Sequence, residues 1–217
     1  MSTSRTQSLI LAPALLTLAI TLLRLTGELL GWNPAFFNKA AGGGGSLLGI
    51  TWLVPILGFY FAWRLMDAQE LPASLGRVFG FTFLGIVSFV VCFMLAFQLR
   101  NTLWLFSGLN LVGALLGLFF ARKAWPALFS TLLAYGFAAR IPVVIVMFIA
   151  IMNNWGTHYD VPPPDFPETT PLVKWLLIAL FPQLTFWMAF TVTIGLLFGG
   201  LAVAALKRRL VAARARA

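Results

Sequence analysis

The sequence is poor in charge. Of its 217 residues, 10% are Asp, Glu, Lys or Arg, where a soluble domain carries about 25%. It has one cysteine, Cys92, and one histidine, His158. A lone cysteine forms no disulfide within the chain and completes no cysteine-based metal site. A lone histidine cannot build a paired-histidine haem or metal site. The six acidic residues all lie away from the middles of the apolar runs. The sequence has no Walker A lysine motif, no His-Glu-x-x-His and no Gly-x-Ser-x-Gly. It also lacks the regular arginine series of a voltage sensor. No cofactor and no metal ion is expected, and no assembled catalytic motif argues for an enzyme.

Apolar residues make up 60% of the chain, and the mean hydropathy is +0.93. These values exclude a soluble globular domain, a disordered tail and a disulfide scaffold. They predict an all-α, polytopic membrane bundle forming a single integral membrane domain over 1–217. About six spans of about 20 residues fit in this length. They leave no room within these residues for a folded extramembrane module.

The apolar runs place spans at about 9–25, 47–66, 78–98, 102–121, 127–152 and 183–206. The first run is not followed by a small-x-small cleavage site, so it reads as a retained span rather than a signal peptide. Pro182 divides the last apolar stretch, which makes 172–181 an interfacial lead-in to the sixth span.

Lys and Arg set the orientation. With the N-terminus inside, that side holds Arg5, Arg64, Arg77, Arg122, Lys123, Lys207, Arg208, Arg209, Arg214 and Arg216. The other side holds Arg24, Lys39, Arg100 and Lys174. Ten against four predicts both termini in the cytoplasm. The net charge of +9 then reflects cytoplasmic anchoring and contact with anionic lipid head groups. No aromatic residues interleave with the basic tail, so no nucleic-acid partner is expected. The alanine- and arginine-rich tail suits a bacterial cytoplasmic (inner) membrane.

Two outer loops are long. The first, 26–46, carries Trp32, Phe36 and Phe37, which suit an interfacial or re-entrant segment, and ends in a flexible connector, Gly42–Gly45. The second, 153–170, holds Pro162, Pro163, Pro164 and Pro167 with Asp160, Asp165 and Glu168, and reads as a stiff acidic cap.

Residues 56–64 and 115–123 look alike, each closing an outside-to-inside span with a basic residue, and Phe79-Gly80-Phe81 matches Tyr135-Gly136-Phe137. Two readings stand: a parallel repeat of helices 2–3 and 4–5, or chance similarity in a chain rich in Leu, Phe, Gly and Ala.

Arg140 is the sharpest feature, because it lies mid-span. A mid-bilayer arginine costs about 2.5–3.5 kcal/mol on insertion scales and stays charged, so it must find partners. Pro142 lacks an N–H and frees the Ala138 carbonyl, which offers one. The alternatives are an interhelical strut, a side chain that snorkels toward the cytoplasmic interface, or a ligand or transport site. Thr17, Thr21, Arg24 and Glu28 share one face of the first span, and Arg24 and Glu28 can pair one turn apart. The expected substrate-binding set is Arg140, Thr17, Thr21 and Asn110. Gly113-x-x-x-Gly117 and Gly195-x-x-x-Gly199 match the close-approach pattern of membrane helices. They fit packing within the chain, a homo-oligomer or a membrane-protein partner.

Three functions compete. The first is binding or transport of a small anionic solute or lipid head group near Arg140, which requires Arg140 to face a cavity. The second is a non-catalytic membrane subunit or assembly factor, which requires a satisfied Arg140. The third is an intramembrane enzyme using Glu28, His158 or Asp160, which requires these to converge beside a cleft. The first is the leading reading, with membrane lipids as expected partners.

Overall fold

A computed structural model describes residues 3–164 and 166–214, with side chains over 6–164 and 166–206. Asp165 and Arg216, and the side chains of Arg5, Lys207, Arg208, Arg209 and Arg214, lie outside the described residues.

The chain is helical throughout its apolar runs. The helices are α1 (Thr3–Leu29), α2 (Leu53–Asp67), α3 (Leu75–Gln98), α4 (Leu103–Ala124), α5 (Pro126–Asn153), α6 (Pro171–Trp175), α7 (Phe181–Leu184) and α8 (Phe186–Arg214). Five stretches are long and apolar enough to cross a membrane: Thr6–Leu29, Leu75–Gln98, Leu103–Ala124, Pro126–Asn153 and Pro171–Leu206. This is a multi-pass integral membrane protein.

The second expected span is shorter than the sequence pattern implies. Gly49 is extended, a single 3₁₀ turn follows at Ile50–Trp52, and α2 begins only at Leu53. Pro55 in its first turn fixes that start, since a proline there removes an N–H that has no helical partner anyway. Fifteen residues give about 22 Å of helix, against a hydrocarbon core about 30 Å thick.

The lead-in to the last span is also built differently. Residues 171–184 stay helical, but Leu176–Leu180 form a π-helical turn in which the Phe181 N–H reaches back to the Leu176 carbonyl. The helix breaks at Thr185 (φ −110°, ψ −80°), three residues after Pro182. Single π turns inside helices occur frequently at functional sites, and this one leads directly to Gln183.

Helices α5 and α8 form the centre. Half or more of their apolar windows is buried, against 22% in each of the other three. Helix α8 packs on α2, α3, α4 and α5, and α1 packs on α5. Glycines set these approaches. A Cβ on Gly58 of α2 would strike the Gly195 backbone of α8, and one on Gly113 of α4 would lie 2.6 Å from the Cys92 Cβ of α3. Both small-residue motifs are therefore used within the chain. The backbones of helices α2 and α3 do not approach closely, whereas those of α4 and α5 do, so the two pairs that look alike in sequence pack differently.

Candidate functional site

Helix α1 ends beside the loop that follows α5, and the two are joined by a buried carboxylate. Glu28 is fully buried. Its Oε1 accepts from Arg24 Nε at 2.9 Å and meets His158 Nδ1, and its Oε2 accepts the His158 backbone N–H at 2.9 Å. Arg24 also donates through Nη2 to the carbonyls of Asn38 (3.2 Å) and Gly43 (3.0 Å). One carboxylate thus places an arginine and a histidine side by side.

The loop is built to deliver His158. Asn154 ends α5 in the left-handed region (φ 50°), and Gly156 follows at φ 64°. Asp160 closes the turn by accepting from the N–H groups of Gly156 and Thr157 and the Thr157 hydroxyl, at 2.7–2.9 Å. The Tyr159 hydroxyl donates to the Thr21 carbonyl on α1 at 3.1 Å. Thr157, Tyr159 and Asp160 are buried, so this part of the loop is docked and not a solvated cap. Asp160 is occupied with its own turn; it does not pair with His158 as an acid/base couple. Groups of three or more His, Cys, Asp or Glu side chains able to hold a metal are absent among the described residues.

The glycine string is a shaped turn rather than a loose connector. Gly42, Gly43 and Gly45 all have φ between 69° and 76°, where a side chain is strained. A Cβ on Gly43 would also lie 2.8 Å from His158 Cδ2 and 3.1 Å from Arg24 Nη2. The first loop, with Trp32 packed edge-on against Phe37 at 5.2 Å, makes turns and single 3₁₀ turns but no re-entrant helix.

Burial lowers the His158 pKa from its ordinary 6.5, with the neighbouring Arg24 charge acting in the same direction and Glu28 opposing. Burial thereby favours the neutral imidazole. Its Nδ1 carries the proton, because it faces the Glu28 carboxylate, which also accepts from Arg24. That leaves Nε2 with its lone pair, and His158 lies on the wall of a cavity.

The cavity has a volume of about 880 Å³ and lies among α1, α3, α4, α5, the Leu176–Trp187 segment and the two long loops. Its wall carries Arg24, Arg100, Arg140 and His158, and no carboxylate among the described residues. The rest is largely aromatic and aliphatic, with Phe93, Phe97, Phe106, Phe166 and Trp187 prominent. Arg100 is exposed at the α3–α4 turn, its guanidinium over its neighbour Phe97 at 4.9 Å.

Arg140 sits deep in this wall. It is 4% exposed, thirteen residues before the end of α5, or about 20 Å of helix rise. It turns across to the last span, not back to the carbonyl freed by Pro142. Nη1 donates to Gln183 Oε1 at 3.4 Å and Nη2 to Thr191 Oγ1 at 3.2 Å. Thr191 spends its own proton on the Trp187 carbonyl, so its oxygen is free to accept. Trp187 lies 5.1 Å from the guanidinium, a cation–π distance. Arg140 Nε is buried without a partner. All its partners are neutral, so its charge has no counter-ion among the described residues.

Of the four expected site residues, Arg140 and Thr21 line the cavity. Thr17 is buried beside it, with its hydroxyl engaged by the Pro13 carbonyl and the Tyr135 hydroxyl, each at 2.8 Å. Asn110 donates to its own helix at the Phe106 carbonyl and does not lie on the cavity wall. The Thr17–Tyr135 and Glu28–His158 contacts show that α1 and α5 run in parallel. Arg140, five residues after Tyr135, therefore stands at the level of Thr21 to Arg24. The sequence pattern marks Arg24 and Glu28 only as an i,i+4 pair; the contact with His158, 130 residues away, leaves no local signal.

The chain matches no family model, and no curated protein and no solved structure is significantly similar to it.

Proposed function

We propose that this membrane protein binds an anionic amphiphile, with the head group on Arg140 and Arg24 and the apolar part against the aromatic wall. The observation that carries this reading is the uncompensated charge of Arg140. A buried ion without a counter-ion costs several kcal/mol, and here a Gln, a Thr and a Trp face supply only neutral partners. A bound anion would supply the missing charge, meeting the guanidinium where it lines the cavity, while Nε stays enclosed. The absence of any carboxylate among the described wall residues, and a volume of about 880 Å³, support an anion larger than a simple inorganic ion. The expected orientation puts the cavity mouth on the non-cytoplasmic side of a bacterial inner membrane.

The test is native mass spectrometry of the full chain extracted gently from its own membrane, wild type beside Arg140→Leu. The expected result is a retained anionic lipid or lipid-like ligand in the wild type that the variant loses while remaining folded. An unliganded wild type arriving with a stoichiometric protein partner, and a variant differing only in yield, would instead favour a non-catalytic subunit.

A further inference from the structure

The Glu28–His158 pair has the arrangement that a general base requires, and nothing in anion binding alone calls for it. A buried carboxylate holds Nδ1 of an imidazole through its proton. That fixes the tautomer, directs Nε2 outward and stabilises the imidazolium that forms on proton uptake. His158 Nε2 has no hydrogen-bond partner among the described residues and is not among the fully enclosed unpartnered atoms, so it is accessible, on a residue that lines the cavity. Arg24 shares the same carboxylate oxygen, which puts a cation beside the base. A second cation, Arg140, lines the same cavity from α5.

We propose that this chain hydrolyses a phosphoester of an amphiphile, with His158 as the general base, Glu28 as its positioning residue, and Arg24 and Arg140 holding the phosphate. The proposal rests on the anion-binding reading above and names its substrate class. A phosphate is favoured over a carboxylate because its dianion offers more charge and more acceptor oxygens to the two guanidiniums of one cavity, Arg24 through Nη1 and Arg140 through the N–H groups that Gln183 and Thr191 leave over, and that cavity has no opposing acid among its described residues.

The step uses water from the cavity mouth. His158 Nε2 takes a proton from that water as its oxygen attacks phosphorus. A new P–O bond forms, and the bond from phosphorus to the ester oxygen breaks. The leaving alkoxide takes the proton from the imidazolium and departs as the alcohol. Inorganic phosphate is released, and Nε2 regains its lone pair. The guanidiniums stabilise the charge that develops on the phosphoryl oxygens. No oxidant, reductant or second substrate is required.

The experiment uses the untagged full chain in mixed detergent micelles. Four probes are offered: dioctanoyl phosphatidate, monooctanoyl lysophosphatidate, farnesyl phosphate and dodecyl phosphate. Released phosphate is measured, and binding of the same probes is followed by native mass spectrometry. The expected result is turnover of at least one probe by the wild type. His158→Gln should then lose about 100-fold or more in kcat while still binding that probe. Glu28→Gln should shift the acidic limb of the pH profile to lower pH, because the Glu28 charge raises the imidazole pKa; a merely structural role would leave that limb in place.

Because His158 is the only histidine, diethyl pyrocarbonate gives an independent check on folded wild type. Turnover should fall in step with modification of one histidine, and inorganic phosphate should protect. Probes that bind but are not hydrolysed would overturn the catalytic proposal and leave the binding reading intact. Failure of all four even to bind would overturn both. Full turnover in His158→Gln or after complete modification would show that His158 is not the base.

Discussion

Replacing Glu28 by alanine should release the loop that roofs the cavity. The carboxylate is fully buried and accepts from three donors: Arg24 Nε, the His158 backbone N–H and His158 Nδ1. Breaking a buried pair by removing one partner typically costs about 3–5 kcal/mol. The lower end applies here, because Arg24 keeps the Asn38 and Gly43 carbonyls and the cavity can admit water to the freed groups. A loss of about 3 kcal/mol is about a hundredfold in the equilibrium for opening the loop. Hydrogen exchange reads that equilibrium directly. In Glu28→Ala the amides of His158, Asp160 and Val161 should exchange about a hundredfold faster, while those of α5 near Gly136 stay unchanged. If exchange across 157–161 stays within about threefold of wild type, the Asp160 turn alone holds the loop. The coupling of α1 to His158 on which the site depends would then be refuted.

Arg140→Leu should weaken binding of dioctanoyl phosphatidate by about 10- to 100-fold, the value of about 1.5–3 kcal/mol for a charged hydrogen bond, without lowering membrane yield; native mass spectrometry titration measures the first and quantitative blotting of membranes the second. Arg140→Lys keeps the charge but not the fork, so its affinity should fall between the two. Gly58→Val should destabilise the α2–α8 packing, since its side chain would meet the Gly195 backbone; a lower unfolding temperature in detergent, by at least several degrees, is expected. Because burial depresses the His158 pKa below 6.5, the undocked loop binds more protons than the docked one. Docking is therefore fully stable above about pH 6.5 and weakens as pH falls below it. Intrinsic-rate-corrected exchange at 157–161 should rise at pH 5.5 in wild type and respond less in His158→Gln.

Anion binding and base catalysis draw on different elements around the same cavity. Arg140 supplies charge at depth from the central helix α5, while His158 is delivered by a loop through contacts to α1. A ligand reaching both would touch the rigid core and the docked roof together. The position of the π turn fits this division. It lies just before Gln183, on the segment that also presents Trp187 to Arg140.

The sequence by itself determined that this is a multi-pass helical membrane protein, because hydrophobic length and scarce charge are local properties that a bilayer reads directly. It also marked Arg140, since a charge inside an apolar run stands out whatever surrounds it. It misplaced the start of α2 because Leu47 and Leu48 are apolar but precede an extended Gly49, and hydropathy does not report backbone conformation. It likewise put the break of the last span at Pro182 rather than at Thr185: the helix carries on through the proline after a π turn, and propensity does not show that in advance. Thr17, on the polar face of the first span, and Asn110, an amide within a span, read as site residues, yet the structure commits their polar groups to Tyr135 and to the chain's own backbone. Only the tertiary structure decided that Glu28 meets His158. That contact spans 130 residues and exists because α5 runs parallel to α1 and ends where a turn closed by Asp160 folds back over it. Periodicity records which face of a helix is polar; which distant group that face meets is set by packing.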